Sequence, residues 1–348
     1  MTRTLDLDAQ PAPPDPPARP ESPQTRSGRS RALGAVLRVG LLPVLLVAAV
    51  VLFSVVEPRF LTPINATNVS RQLSFLLIVT VAQMLVLLTA EIDMSVASTI
   101  ALTSIVSSSV MVAVGGDGFG AVALGVLAGL AVGVVVGLIN GVVVAWFRVP
   151  SFIVTIGTGA IAFGAALMIS HGSPVTGLPA GFTGALGTSN LGPVPLSFVI
   201  ALAVCAVLYL VLNWTRLGRY FYAVGGGENA ARLVGVPVFR SKVLAFVLCG
   251  ALTALAGVLL TARVSSGEAN LGSEYLMLSI AAAVLGGTSF FGGEGRLGLV
   301  AVGALFLVVL SNGMNLIRIS SYTQQVVIGT LLIVAVIVDR LRRRSAGS

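Results

Sequence analysis

The chain holds one lysine, one histidine and two cysteines, so few of its residues could carry covalent or metal chemistry. A phosphate-cradling loop needs Lys after Gly and before Ser or Thr. Lys242 follows Ser241 and precedes Val243, so this chain cannot hold ATP in such a loop. His171 ends an apolar run beside Gly172 and reads as an interfacial residue, with ligand handling as the alternative. Cys205 and Cys249 each lie inside an apolar run, which leaves neither a disulfide framework nor a His/Cys metal cluster. No cofactor is expected. An intramembrane enzyme would need a nucleophile and base or a metal site, and little is left to build one. Glu91 and Asp93 are the acids nearest an apolar run. Asp93 precedes a helix that it could N-cap, with Ser95 close by; gating or ion sensing is its other reading.

The elements that must position these residues follow from composition. Of 348 residues 56% are hydrophobic and only 10% charged, and the mean hydropathy is +0.99. A soluble domain has about 45–50% apolar and about 25% charged residues. The expected fold is therefore an all-α polytopic membrane protein. Ten apolar runs read as spans, near 38–56, 74–90, 95–114, 119–142, 151–170, 197–214, 243–262, 276–292, 297–317 and 322–338. Ten spans put both termini on one side. With that side cytoplasmic, the outer loops hold Arg59, Arg71, Arg263 and Arg318, only four of the 21 Lys+Arg. The net charge of +8 thus flanks spans as an orientation signal. Nucleic-acid binding would need a basic stripe on a soluble face, which is absent. Residues 1–34, rich in proline, read as a disordered cytoplasmic tail and not as a signal peptide. Residues 35–340 form the membrane domain, and 341–348 a basic cytoplasmic tail. Gly125, Gly129, Gly133 and Gly137 repeat every fourth residue and predict close helix packing.

The longest expected cytoplasmic connection is 215–242. Its middle reads as a short helix. Three glycines precede it, Glu228 complements the positive end of its dipole, and Gly235 with Pro237 stops it. From Glu228 to Val234 it spans about 10 Å. So short a helix is marginal alone and must be docked, either on a partner or on the protein's own surface.

Glu228-x-Ala230-Ala231-x-x-x-Gly235 resembles the coupling-helix motif of bacterial ABC importer permeases. More widely, the chain resembles the membrane subunits of ribose-type sugar ABC transporters over roughly residues 35–340. Phe60-Leu61-Thr62-Pro63-Ile64-Asn65, followed by Asn68 and Arg71, is similar to that family's first outer loop. Glu91-Ile92-Asp93-Met94-Ser95-Val96-Ala97-Ser98 is similar to its acidic segment. Gly137-Leu138-Ile139-Asn140-Gly141, Pro150-Ser151-Phe152-Ile153-Val154-Thr155-Ile156-Gly157-Thr158, Leu285-Gly286-Gly287-Thr288 and Asn312-Gly313-Met314-Asn315-Leu316 fall in the family's order. Departures are Ala97 where Gly is usual and Gly227 where Asn is frequent. The resemblance implies a homodimeric, multi-pass permease of the bacterial inner membrane. It also implies a separate cytoplasmic ABC ATPase and an extracytoplasmic sugar-binding protein as partners. The ATPase-coupling residues would be Gly225, Glu228, Ala230, Ala231, Arg232 and Gly235. A sugar pathway calls for amide and hydroxyl groups, and the spans offer Gln83, Asn140, Thr155, Thr158, Asn312 and Asn315. Helix–helix hydrogen bonding is the other reading for each. An ion-coupled secondary transporter is the alternative class, but it needs ionisable residues in mid-span, and these are nearly absent.

Overall fold

A computed structural model of the chain describes residues 41–346. The expected tail 1–34 and the side chains of 338–348, with their arginines, lie outside the described residues. In chain order the helices are α1 Leu41–Val56, α2 Pro63–Leu88, α3 Val96–Val114, α4 Phe119–Phe147 and α5 Ser151–Ser170. A helical turn, α6 Ala180–Phe182, continues into a π-helical turn, Thr183–Thr188. A two-residue ribbon follows, β1 Asn190–Leu191 antiparallel to β2 Val194–Pro195. Then come α7 Leu196–Trp214, α8 Arg216–Gly226, α9 Glu228–Leu233, α10 Val238–Val264, α11 Tyr275–Leu285, α12 Leu297–Leu316 and α13 Ser321–Ala346.

Seven of the described helices are long and apolar enough to cross a membrane: α2, α3, α4, α5, α7, α10 and α12. Three shorter apolar stretches, in α1, α11 and α13, accompany them. The protein is an all-α polytopic membrane protein. Every expected apolar run overlaps one of these ten helices, though several ends differ. α2 begins at Pro63 and not near 74, because Thr62 caps it by accepting the Asn65 N–H and Pro63 suits the first helical position. α11 stops at Leu285 and not near 292, because Gly287 takes a φ of +81° just beyond it. The connection 215–242 also holds a helix that the sequence reading missed. In α8, Thr215 accepts the Gly218 N–H and Phe221 and Val224 face inward.

Burial separates the helices into a centre and a rim. The apolar window of α2 is 89% buried within the protein, whereas that of α5 is only 22% buried. A helix that is apolar all round and covered by its neighbours is a core helix; one with open apolar faces is set for lipid. The expected glycine stripe lies where α4 crosses α10 and α3. A Cβ on Gly133 would overlap the Gly250 carbonyl oxygen, and one on Gly250 would overlap the Gly133 carbonyl oxygen. Gly137 meets the Phe246 backbone in the same way, and Gly125 meets α3 at Met111. The backbones of α4 and α10 therefore touch with no side-chain layer between them, a contact open only to glycine.

Candidate functional site

The short helix expected near 228–234 is present as α9, and its local chemistry explains both ends. Glu228 sits in the first turn and Arg232 in the last, and the pair bonds at 2.6 Å with the spacing and polarity that favour a helix. Gly235 adopts a φ of +79° and donates its N–H to the Arg232 carbonyl, while the Val236 N–H reaches back to the Ala231 carbonyl. This is the glycine stop that the spacing predicts.

α9 is docked on its own chain along one face. Ala231, Val224 of α8 and Val238 of α10 form a small apolar cluster. Ala230, Leu233 and Val234 point outward, with Leu233 88% exposed. The two adjacent alanines therefore differ in role: Ala230 is available to a partner, and Ala231 fastens the helix to the protein. Gly225 is not on the outer face either. It is pressed against the Leu88 carbonyl of α2 and the Gly293 N–H, so close that an added Cβ would overlap both.

An ion chain, invisible in the sequence, anchors α9 further. The Lys242 ammonium, in the second turn of α10, donates to Glu228 at 2.8 Å and to Glu91 at 2.6 Å. The Lys242 and Glu91 side chains are each only 12% exposed. Two carboxylates face Lys242 and Arg232, so the cluster is electrically balanced. The Lys242 hydrogen bond, assisted by Arg232, holds the Glu228 carboxyl below its usual range against the opposing effect of burial. The sequence offered one pointer to Lys242, its being the only lysine.

Beyond Glu91 the chain of bonds continues into the membrane domain. The Ile92 N–H donates to Ser151 Oγ at 3.1 Å, and the Met94 N–H to Thr155 Oγ1 at 2.9 Å. The Asp93 carboxylate accepts both the N–H and the hydroxyl of Ser95. Ser95, not Asp93, stands at the N-cap of α3, so the N-cap reading of Asp93 is corrected. Asn140 donates to Ser95 Oγ at 3.0 Å and accepts from Thr158 at 2.5 Å. Asn140, Thr155 and Thr158 thus bind the start of α3 to α4 and α5.

The other three candidate pathway residues divide. Asn65 and Asn312 exchange amide hydrogen bonds at 2.9 and 3.0 Å inside the protein. Gln83 is fully buried in α2, and neither of its amide atoms has a hydrogen-bond partner. Asn315 accepts from Gln324 at 2.7 Å and lines a cleft at the ends of α12 and α13.

Residues 65–336 match the family described as branched-chain amino acid transport system / permease component. The chain is 39% identical to the ribose import permease protein RbsC of Escherichia coli (strain K12), over 86% of this chain and 93% of the relative. It is 37% identical to the D-allose transport system permease protein AlsC of the same organism, over 85% of this chain and 90% of the relative. It is also 37% identical to its L-arabinose transport system permease protein AraH, over 86% and 91%. No solved structure matches the chain.

Proposed function

The chain belongs to the branched-chain amino acid transport system / permease component family, and on that premise we propose that it is the permease subunit of a bacterial sugar ABC importer. It forms the membrane pathway for a sugar or sugar-like solute. A separate ATPase drives it and an extracytoplasmic binding protein feeds it. One observation carries the mechanical part: α9 is docked by an apolar seam and an ion chain on one face, and bares Ala230, Leu233 and Val234 on the other. A helix that is held firmly and presents apolar side chains outward is suited to receive a push from a partner.

In this reading the ATPase meets Ala230, Leu233, Val234 and the exposed Arg232, while Ala231, Gly225 and Gly235 shape and seat the helix. Its movement passes through Glu228 and Lys242 to Glu91, and from there to the Ser151, Thr155 and Asn140 bonds that hold α3, α4 and α5. The ten apolar helices all cross the bilayer, both termini lie in the cytoplasm, and two copies of the chain form the pathway. The ion-coupled alternative has little to work with. Among the described residues Asp93 is the only fully buried Asp, Glu, Lys, Arg or His, and it is tied to Ser95.

The test is reconstitution in liposomes with and without the ATPase and binding protein. The three-part assembly accumulates ribose, allose or arabinose with ATP and without an ion gradient. Accumulation by this chain alone, driven by a proton or sodium gradient, overturns the reading.

A further inference from the structure

A cavity lies away from α9 and its ion chain. It lies between α2, α11, α12 and the first turns of α13, with a volume of about 560 Å³. That falls within the roughly 300–1,000 Å³ of small-molecule sites. Gln72, Tyr275, Ser311, Asn315, Gln324 and Gln325 bring amide and hydroxyl groups to it. Val308 and Ile328, about two and one turns deeper on α12 and α13, form an apolar floor. Gln324 is buried and oriented by two bonds, to the Asn315 side chain and to the Ile319 carbonyl.

We infer that this cleft is the outer vestibule of the solute pathway and takes a neutral polyhydroxy solute; the inference rests on the sugar-importer reading above. Three observations carry it. First, the lining has no Lys, Arg or His and one exposed carboxylate, Glu274, so it offers nothing to hold an anion. Neutral amides and hydroxyls, each able to donate and accept, match a ring of alcohol groups. Second, an acyl chain in the same place would strip water from those polar groups without replacing its hydrogen bonds, which is unfavourable. Third, the position is right. Gln72 and Leu88 lie on one helix about 24 Å apart, and Leu88 touches Gly225 beside the coupling element. The cleft is therefore at the opposite end of the central helix from the ATPase side. Asn315 is the one expected pathway residue found there.

The test uses the assembled complex in proteoliposomes, with ribose, allose and arabinose as probes. Ser311→Trp fills the cleft and lowers uptake about tenfold or more, the size of losing a pair of neutral hydrogen bonds. Val207→Trp, at an exposed apolar position of α7, leaves uptake unchanged. Because a tryptophan can also disturb folding, Ser311→Cys is assembled first and modified afterwards. Cys205 and Cys249 are buried, so a membrane-impermeant maleimide reads the new thiol. Reaction from the outside followed by loss of uptake, with the ATPase still attached, supports the vestibule. A thiol that does not react, or uptake that survives modification, overturns it. If the unmodified complex takes up none of the three sugars, the sugar reading itself fails, an outcome distinct from neutral variants in a working transporter.

Discussion

Replacing Lys242 with Met removes the ammonium that joins Glu228 of α9 to Glu91 and keeps most of the side chain's length. Its two bonds differ in worth. Glu91 and Lys242 are both only 12% exposed, and breaking a buried pair by deleting one partner costs roughly 3–5 kcal/mol, because a charge is left behind without compensation. The Glu228 arm is 36% exposed and keeps Arg232, so solvent screening reduces its share to about 0.2–1 kcal/mol. The Glu91 bond dominates. A loss near 3 kcal/mol corresponds to a shift of about 150-fold in the balance between joined and separated states of α10 and the Glu91 segment, the step through which α9 reaches the membrane domain. Sugar uptake by the reconstituted complex therefore falls at least about tenfold, as does stimulation of the ATPase by loaded binding protein. The ATPase itself still co-purifies, because Ala230, Leu233 and Val234 are untouched. Lys242→Arg retains much of the coupling, since it restores a cation, though with a different fork. The double variant Glu91→Gln with Lys242→Met leaves no buried carboxylate alone; it recovers thermal stability but not uptake. Wild-type uptake and wild-type stimulation in Lys242→Met would falsify the idea that this ion chain carries the stroke.

Gly225→Ala drives a methyl into the Leu88 carbonyl and the Gly293 N–H; overpacking of about 1–3 kcal/mol lowers the melting temperature in detergent, and an unshifted melt refutes the contact. Gly133→Leu separates α4 from α10 and abolishes accumulation of folded protein, as read by size-exclusion chromatography of membrane extracts. The pH dependence of the Glu228 pair follows from its lowered carboxyl: a depressed group stabilises the fold fully above its ordinary 4.5 and loses that contribution as acid titrates the folded form. The difference in melting temperature between wild type and Glu228→Gln is therefore constant through the neutral range and disappears only in acid below about pH 4.5. A difference that changes near neutrality contradicts the pairing. Reporter fusions after residues 20 and 344 read cytoplasmic and a fusion within 175–195 reads external; opposite signals at the two ends mean the span count is wrong.

What the sequence discloses here is what depends on neighbours along the chain. Apolar runs locate the helices, because crossing lipid demands them over a contiguous stretch. The glycine period of α4 and the stop at Gly235 are equally local. Lys242 and Glu91 lie 151 positions apart, and Asn65 and Asn312 lie 247 apart; nothing local couples such residues. A polar residue in an apolar run therefore gives no sign of which neighbour it will meet. For that reason most of the candidate pathway residues proved to be bonded between helices, and the cleft residues Gln72, Ser311 and Gln325 escaped notice at span ends where polarity is ordinary. α8 was missed because Gly218, Gly225 and Gly226 suggest a loop. Gly218 and Gly225 are needed where the helix lies flush against Leu212 and Leu88.

The backbone contact of α4 with α10 limits how this molecule can change shape. Helices cushioned by side chains slide past one another by small rotamer adjustments, the shear mode of conformational change. Where Gly133 and Gly250 interlock, no rotamer exists to adjust, and any slip would drive carbonyl oxygens into Cα atoms. The pair must travel as a single rigid plank, with Lys242 riding near one end, in the second turn of α10. Alternation between outward and inward openings then has to be articulated at other seams.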